Sequence, residues 1–244
     1  MSKEVFNCSH RSKQTGYFEW WYLHFLVGDQ SINVVLHETD IFGLQKSPYS
    51  SISLLSNSGD SLHAKVSLGG QINKNGELLR AEDKIMEGQE LLDLALDFRG
   101  AVKIEGRIKK VVEPLIMNGG ILYEQQGRKS FWIVQIPFGT FVGQLSRGDS
   151  SKKIQGWAYQ DHQWGTLPIS DYVSDWIWGH FANESFSVIF FKILTQNEEF
   201  IERTAILSKN RREVSLEDIE ASHLSTLAEA RDPEKISQIA QLNL

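Results

Sequence analysis

The sequence has one cysteine, Cys8, among its 244 residues, so it cannot form an internal disulfide and a reducing compartment is permitted. The N-terminal segment MSKEVFNCSHRSK lacks the apolar stretch of a secretory signal peptide. Nowhere does an apolar run approach the roughly 20 residues that span a bilayer. These absences predict a cytoplasmic protein, and only a lipophilic substrate would bring it into peripheral contact with a membrane.

Basic charge and metal-binding motifs are also scarce. The chain carries 25 Lys and Arg against 31 Asp and Glu, which argues against a nucleic-acid partner because phosphate binding needs a basic face. The seven histidines show neither His-x-His nor His-x-x-x-His spacing, so no metal site is predicted. A G-x-S-x-G elbow and a strand-to-helix phosphate loop are absent as well, and we therefore expect no cofactor. The sequence does not indicate the oligomeric state.

The sequence does contain a series of short segments in which apolar and polar residues alternate, separated by turn residues. This pattern predicts an antiparallel all-β protein, a barrel or a sandwich. Residues 17–27 and 31–38 form a predicted hairpin, joined by a Gly-Asp turn. The segment ELLDLALDF, residues 90–98, has apolar side chains at every second position, so we predict a strand there rather than a helix. Helical spacing appears only near the C-terminus, where capping residues predict helices over 216–230 and 233–242.

Aromatic residues concentrate in three segments, Tyr17–His24, Gly156–Gly165 and Trp176–His180, which contain most of the seven tryptophans. Strands bring distant segments together, so we expect one aromatic, partly acidic pocket built from all three. Asp161 and His162 are neighbours in the central segment. We place this pair in a turn that follows a strand.

Two motifs in the sequence occur together in a known group of proteins. Glu19-Trp20-Trp21-Tyr22, followed by Asp161-His162-Gln163-Trp164-Gly165, resembles the carotenoid 1,2-hydratase family. That family is allied to AttH-like proteins and to lipocalin-type cyclases, including the Diels–Alderases of natural-product pathways. The resemblance implies a lipocalin-like (calycin) β-barrel, here residues 1–165, packed against a second β module. We expect residues 166–244 to form a reduced second module with short C-terminal helices.

The resemblance also implies an apolar pocket for an isoprenoid or polyene, and it carries catalytic roles onto Asp161, His162 and Trp164. Glu19 is a second candidate acid, because hydration or cyclisation of an alkene begins with a proton from an acid that burial keeps protonated. His162 would orient Asp161 or position water as a general base. Aromatic faces would stabilise the carbocation. The expected substrate-binding residues are Trp20, Trp21, Tyr22, His24, Tyr159, Trp176, Trp178 and His180.

The leading hypothesis is an enzyme that binds a hydrophobic isoprenoid or polyene and promotes its hydration or cyclisation by acid, without a cofactor. The first alternative is a pericyclase, whose pocket folds a polyene so that proximity supplies the rate. The second is a non-catalytic lipid carrier of the lipocalin type. Structural interpretations also stay open. A buried Asp–His pair often ties strands together, aromatic residues in strands are usually core, and an arginine partner would make Glu19 structural.

Overall fold

The computed structural model describes residues 10–39, 49–67 and 91–208, apart from positions 11, 13, 57, 58, 60, 99 and 117. The helices predicted over 216–230 and 233–242 lie outside these residues. The described part is all-β and lipocalin-like, as predicted, with two short 3₁₀ helices at Asn118–Gly120 and Ile169–Asp171. No helix in the described part is long and apolar enough to cross a membrane.

The strands form two antiparallel sheets. In chain order they are β1 (Phe18–Val27), β2 (Gln30–Thr39), β3 (Tyr49–Ser56), β4 (Ser61–Ser67), β5 (Leu91–Asp97), β6 (Lys103–Lys110), β7 (Ile121–Gln125), β8 (Arg128–Arg147), β9 (Ser150–Gly165), β10 (Val173–Ala182), β11 (Phe186–Thr195) and β12 (Phe200–Ser208). The first sheet has nine strands in the order β4-β3-β2-β1-β9-β8-β6-β5, with β7 pairing to β8, and it curls into a half-barrel. The second sheet has the order β10-β11-β12. The predicted division into domains at residues 165 and 166 stays a prediction.

Alternation along β1 distributes its side chains between two cores. Trp21, Leu23 and Phe25 are buried in the main core, together with apolar side chains from β2, β3, β5, β6, β8 and β9. Tyr22 belongs to the other face of the nine-stranded sheet, where it packs into a second core with residues of the three-stranded sheet such as Ile189. The nine-stranded sheet therefore has the main core on one face and the second core, shared with the three-stranded sheet, on the other.

The alternation of apolar and polar residues in the sequence predicted most of these strands. The predicted hairpin is β1–β2, which closes at the Val27 and Gln30 pair, and Gly28 in its turn has a φ of 60° that favours glycine. The segment 90–98 contains β5, which pairs with β6 along its whole length, so the prediction of a strand rather than a helix is confirmed. Leu96 of β5 is buried in the main core, as period-two alternation requires.

Strands β8 and β9 are longer than the sequence indicated. Alternation predicts two strands at Phe131–Ile136 and Phe138–Leu145. They form one strand, β8, whose register against β9 shifts near Pro137. The prediction of a turn at Asp161–Gly165 is wrong, because β9 continues to Gly165 with β1 on one side and β8 on the other. Glycine allows this close pairing, since a Cβ at Gly156 would lie 1.9 Å from the carbonyl oxygen of Leu26.

Candidate functional site

Asp161 and His162 face opposite sides of the nine-stranded sheet. In the register of β9, Asp161 lies opposite Tyr22 and Val134, whereas His162 lies opposite Trp21. Successive side chains of a strand alternate between its faces, so adjacent residues cannot act on one another. The expectation that His162 orients Asp161 is therefore wrong, and it failed because the pair was placed in a turn.

Asp161 lies on the face that meets the three-stranded sheet. Its side chain is 2 % exposed, and the Tyr159 hydroxyl donates a hydrogen bond to its Oδ2 at 2.8 Å. The side chains of Trp132 and Gln163 also favour its carboxylate form through hydrogen bonding. Its other oxygen, Oδ1, is buried and has no partner at hydrogen-bonding distance and angle among the described residues. The carboxyl group is thus enclosed by the protein, with Oδ2 held by the Tyr159 hydroxyl.

Burial controls the protonation of this carboxyl group. Loss of solvation raises the pKa of Asp161 from 3.8 to about 7, against the opposing effects of its hydrogen-bonding neighbours. The pKa of the Tyr22 hydroxyl is raised by burial first and by the nearby Asp161 second. A carboxylic acid with a pKa near neutrality can give up a proton and take it back, as a general acid must. The direction agrees with the sequence-based expectation of an acid kept protonated by burial.

Aromatic rings from all three predicted segments meet beside Asp161. The ring of Trp178, on β10, lies 5.0 Å from Tyr22 on β1 and 5.3 Å from Tyr159 on β9, centroid to centroid. Next to them, His24 of β1 contacts His180 of β10. The structure therefore brings together six of the residues named from the sequence, which are Tyr22, His24, Tyr159, Asp161, Trp178 and His180.

A small cleft opens next to this cluster. It is apolar and rich in tryptophan, and its lining residues are Leu122, Trp132, Gln163, Ile169, Trp176, Trp178, Phe191 and Ile193. Trp132 and Gln163 line the cleft and also approach the carboxyl group of Asp161. The cavity volume is about 20 Å³, which is room for about one water molecule, so a larger ligand must displace side chains to enter. Trp176 is 49 % exposed and is the most exposed of the lining side chains.

Glu19, His162 and Trp164 form a separate cluster on the opposite face of the sheet. Glu19 is fully buried, and its Oε1 lies 2.9 Å from His162 Nε2. Oε1 also accepts the backbone N–H of His10 at 2.8 Å, and the Tyr17 hydroxyl donates to Oε2. These contacts supply the partner that a buried carboxylate in an aromatic strand requires.

Aromatic rings enclose the imidazole of this second cluster. The Trp21 ring stacks on His162 at 4.5 Å with an interplanar angle of 12°, and the Trp164 ring lies 4.7 Å away on the same imidazole. The His10 ring in turn stacks on Trp164 at 4.1 Å. The cluster joins β1, β9 and the N-terminal segment, which is the arrangement of a structural hub.

A possible donor set for a metal ion lies in the same cluster. Ligand atoms of His10, Glu19 and His162 all lie within 4.8 Å of one another. Spacing along the chain gave no sign of this set, because its members come from three separate segments. The Glu19 oxygens already accept hydrogen bonds from three groups, which accounts for the arrangement without an ion. The absence of a metal site stays a prediction.

The structure also separates some predicted residues from the site and adds others. Trp20 is buried in a third cluster, against Leu167 and Tyr172. Trp132 and Gln163 were not among the predicted site residues, although they lie directly opposite each other on β8 and β9. Gln163 lies two residues after Asp161 and shares its face of β9, so alternation identifies it once the motif is assigned to a strand, whereas Trp132 needs the register of β8 against β9.

No protein-family model matches the sequence, and no curated protein matches it. Among solved structures, the chain is similar to a protein of Nitrosomonas europaea provisionally assigned to AttH, with a TM-score of 0.59 and 12 % identity over 88 % of this chain and 74 % of that one. It is also similar to kievitone hydratase from Nectria haematococca, with a TM-score of 0.50 and 13 % identity over 87 % of this chain and 68 % of that one. Identities this low establish the fold alone. The resemblance predicted from the two motifs is confirmed at that level.

Proposed function

We propose that this lipocalin-like protein is a cofactor-independent enzyme that protonates a carbon–carbon double bond of a hydrophobic isoprenoid or polyene, leading to hydration or cyclisation. The single observation that carries the proposal is the buried Asp161 carboxyl group beside a tryptophan-lined cleft. An acid in an apolar site, with aromatic faces around it, suits a reaction that passes through a carbocation.

The proposed reaction begins when the carboxylic acid of Asp161 transfers its proton to one alkene carbon, which leaves a cation on the other carbon. The faces of Trp132 and Trp178 stabilise this cation, and the Tyr159 hydroxyl stabilises the carboxylate through its hydrogen bond. In hydration, water adds to the cation and its extra proton returns to Asp161. In cyclisation, a second double bond attacks the cation, which closes a ring and leaves a new cation on the second double bond. Loss of a C–H proton next to this new cation returns the proton to Asp161.

Glu19, His162 and Trp164 act indirectly in this proposal. They lie on the opposite face of the sheet from Asp161, and the sheet itself separates them from the cleft. Their contribution is to hold β1 against β9, which keeps Tyr22 and Asp161 in register. The proposal thus gives the acid role to Asp161 and takes Glu19 as a structural partner of His162.

The size of the cleft sets a condition on the substrate. An isoprenoid needs far more space than about 20 Å³, so binding must move at least one lining side chain. Trp176 fits this role because it is half exposed and lies at the edge of the three-stranded sheet. A long, thin and flexible chain is easier to admit than a rigid ring system, which favours acyclic isoprenoids as substrates.

The fold supports the proposal without determining it. One similar solved structure is, by its name, a hydratase, and both similar structures share the architecture at low identity. A fold hosts several activities, so the argument rests on the site. No specific observation in the described part favours the pericyclase or the lipid carrier, and both become outcomes of the test.

The test compares Asp161→Asn with Asp149→Asn, a control at an exposed carboxylate in the turn between β8 and β9. Each protein is incubated with geraniol, farnesol or lycopene, and the products are analysed by mass spectrometry. We expect conversion by the wild type and the control, and a loss of at least about 100-fold in Asp161→Asn, the size expected for removal of a general acid. Full conversion by Asp161→Asn would point to a pericyclase, and tight binding without conversion by any variant would point to a carrier.

A further inference from the structure

Two buried histidines join the sheets beside the proposed site. His24 Nδ1 on β1 lies 2.9 Å from His180 Nδ1 on β10, so this contact links the nine-stranded sheet to the three-stranded sheet. The side chains are 7 % and 4 % exposed. Two nitrogens at this distance must share one hydrogen, because two N–H groups facing each other would repel and two lone pairs would make no bond.

Hydroxyl groups occupy the other nitrogen of each ring. His24 Nε2 lies 2.9 Å from the Ser31 Oγ of β2, and His180 Nε2 lies 3.2 Å from the Ser187 Oγ of β11. The Ser187 hydroxyl donates its hydrogen to the backbone carbonyl of Pro137 at 2.8 Å. The carbonyl can only accept, and this fixes the direction of every bond in the chain.

The direction assigns a tautomer to each ring. Since Ser187 has given its hydrogen to Pro137, its oxygen must accept from His180, which therefore carries its hydrogen on Nε2. The Nδ1 atom of His180 is then an acceptor and takes the hydrogen of His24 Nδ1. The Nε2 atom of His24 in turn accepts from the Ser31 hydroxyl. All four side chains are satisfied, with both imidazoles neutral.

We infer that this directional chain, Ser31–His24–His180–Ser187, is a positioning device that holds Trp178 against Tyr159, the residue that donates to Asp161, an inference that rests on the proposed function. Trp178 lies two residues before His180 on β10 and shares its face. The His180 ring also packs on Tyr159 at 4.8 Å, and Tyr159 donates to Asp161. A shift of His180 would therefore move both the ring that stabilises the cation and the group that orients the acid.

The surroundings favour the neutral form of this histidine pair. Burial lowers the pKa of His24 to about 4, and burial together with the neighbouring His24 lowers the pKa of His180 well below its ordinary value. Among the described residues, Tyr22 contacts His24 and Tyr159 contacts His180; both phenols are uncharged at neutral pH, and Tyr159 in turn contacts Asp161. The chain is thus intact at neutral pH and is disturbed only under strong acidification.

Nitrogen-15 NMR of the full-length protein with labelled histidine reads the tautomers directly, without substrate. At about pH 7 we expect a hydrogen on Nδ1 of His24 and on Nε2 of His180, with neither ring charged. Single His→Asn variants assign the signals, and His63, which is exposed on β4, serves as a reference outside the site. A hydrogen on Nε2 of His24, or a charged ring at this pH, would overturn the assigned chain.

A matched pair of substitutions at His180 tests the positioning role. Asparagine places its amide oxygen near the Nδ1 position and keeps the acceptor for His24, whereas glutamine reaches toward the Nε2 position and loses it. With both variants shown to be folded by circular dichroism, we expect His180→Asn to keep the indole N–H resonance of Trp178 in place. We expect His180→Gln to shift that resonance and to lower kcat on the isoprenoid probe by at least about 10-fold, with KM less affected. Equal behaviour of the two variants would refute positioning by this bond.

The two experiments separate the inference from the proposed function. Neither the measurement of the tautomers nor that of the Trp178 resonance requires substrate turnover. If they follow the expectation while the wild type converts no isoprenoid, the hydrogen-bond chain stands and the proposed function fails. If the wild type converts the probe while the tautomers are reversed, the proposed function stands and the positioning device fails.

Discussion

Replacing Asp161 with asparagine should change how the stability of the protein depends on pH. The wild-type carboxyl group has a pKa of about 7 in the folded state and 3.8 when exposed to solvent, so the folded state holds its proton more tightly. Tighter proton binding in the folded state therefore makes its full contribution to the free energy of unfolding below about pH 4. This contribution is lost as the pH rises to about 7. Asparagine cannot titrate and has no such dependence.

The magnitude follows from the two pKa values. A difference of about three pH units corresponds to about 4 kcal/mol, and the group is fully buried, so solvent screening does not reduce it. We expect the free energy of unfolding of Asp161→Asn, relative to that of the wild type, to rise by about 4 kcal/mol between about pH 4 and about pH 7.5. Other titrating groups, including His24, contribute equally to both proteins and cancel in the comparison.

Urea unfolding followed by circular dichroism at the two pH values measures this difference. Asp149→Asn is the control, because a substitution at an exposed position outside the site should change the free energy of unfolding by less than about 0.5 kcal/mol. A relative stability of Asp161→Asn that stays constant within about 0.5 kcal/mol across the same range would show that Asp161 titrates as an ordinary carboxylate. The reasoning that makes it a general acid would then be refuted.

Three further predictions address the surrounding structure. Tyr159→Phe removes a hydrogen bond that favours the carboxylate, so the pKa of Asp161, read from the pH titration of its infrared carbonyl band, should rise above about 7; an unchanged titration midpoint would contradict this. His162→Leu leaves Glu19 without one of its buried partners and should lower the free energy of unfolding in urea by about 3–5 kcal/mol; a loss below about 1 kcal/mol would rule out a structural hub. Gly156→Ala forces β1 and β9 apart and should cost about 1–3 kcal/mol in the same assay; an unchanged midpoint would speak against this close pairing.

The strands could be predicted because alternation is a local property of the sequence. Leu92, Leu94 and Leu96 of β5 stand at every second position, and this spacing indicated a strand even though leucine favours helices. The placement of Asp161 and His162 in a turn was wrong, since β9 pairs with β1 on one side and β8 on the other through both residues. Propensity is a weak guide wherever a strand has neighbours on both edges.

The candidate site was predicted in composition but not in arrangement. The convergence of Tyr22, Asp161 and Trp178 was expected from the aromatic segments, and the structure brings them together. The separation of Asp161 from His162 was missed because it depends on whether the motif is strand or turn, and a change of one residue in register reverses every side chain. Trp132 joins the site only through strand pairing, which the sequence does not reveal.

The most direct test of the central claim is the reaction of the wild-type protein with an acyclic isoprenoid in deuterated water, with the product analysed by mass spectrometry and NMR. If Asp161 donates its exchangeable proton to the alkene, the product carries one solvent deuterium on carbon, and Asp161→Asn forms no such product. A product that is formed at the full rate without deuterium on carbon would contradict the claim and would leave proximity alone as the source of catalysis.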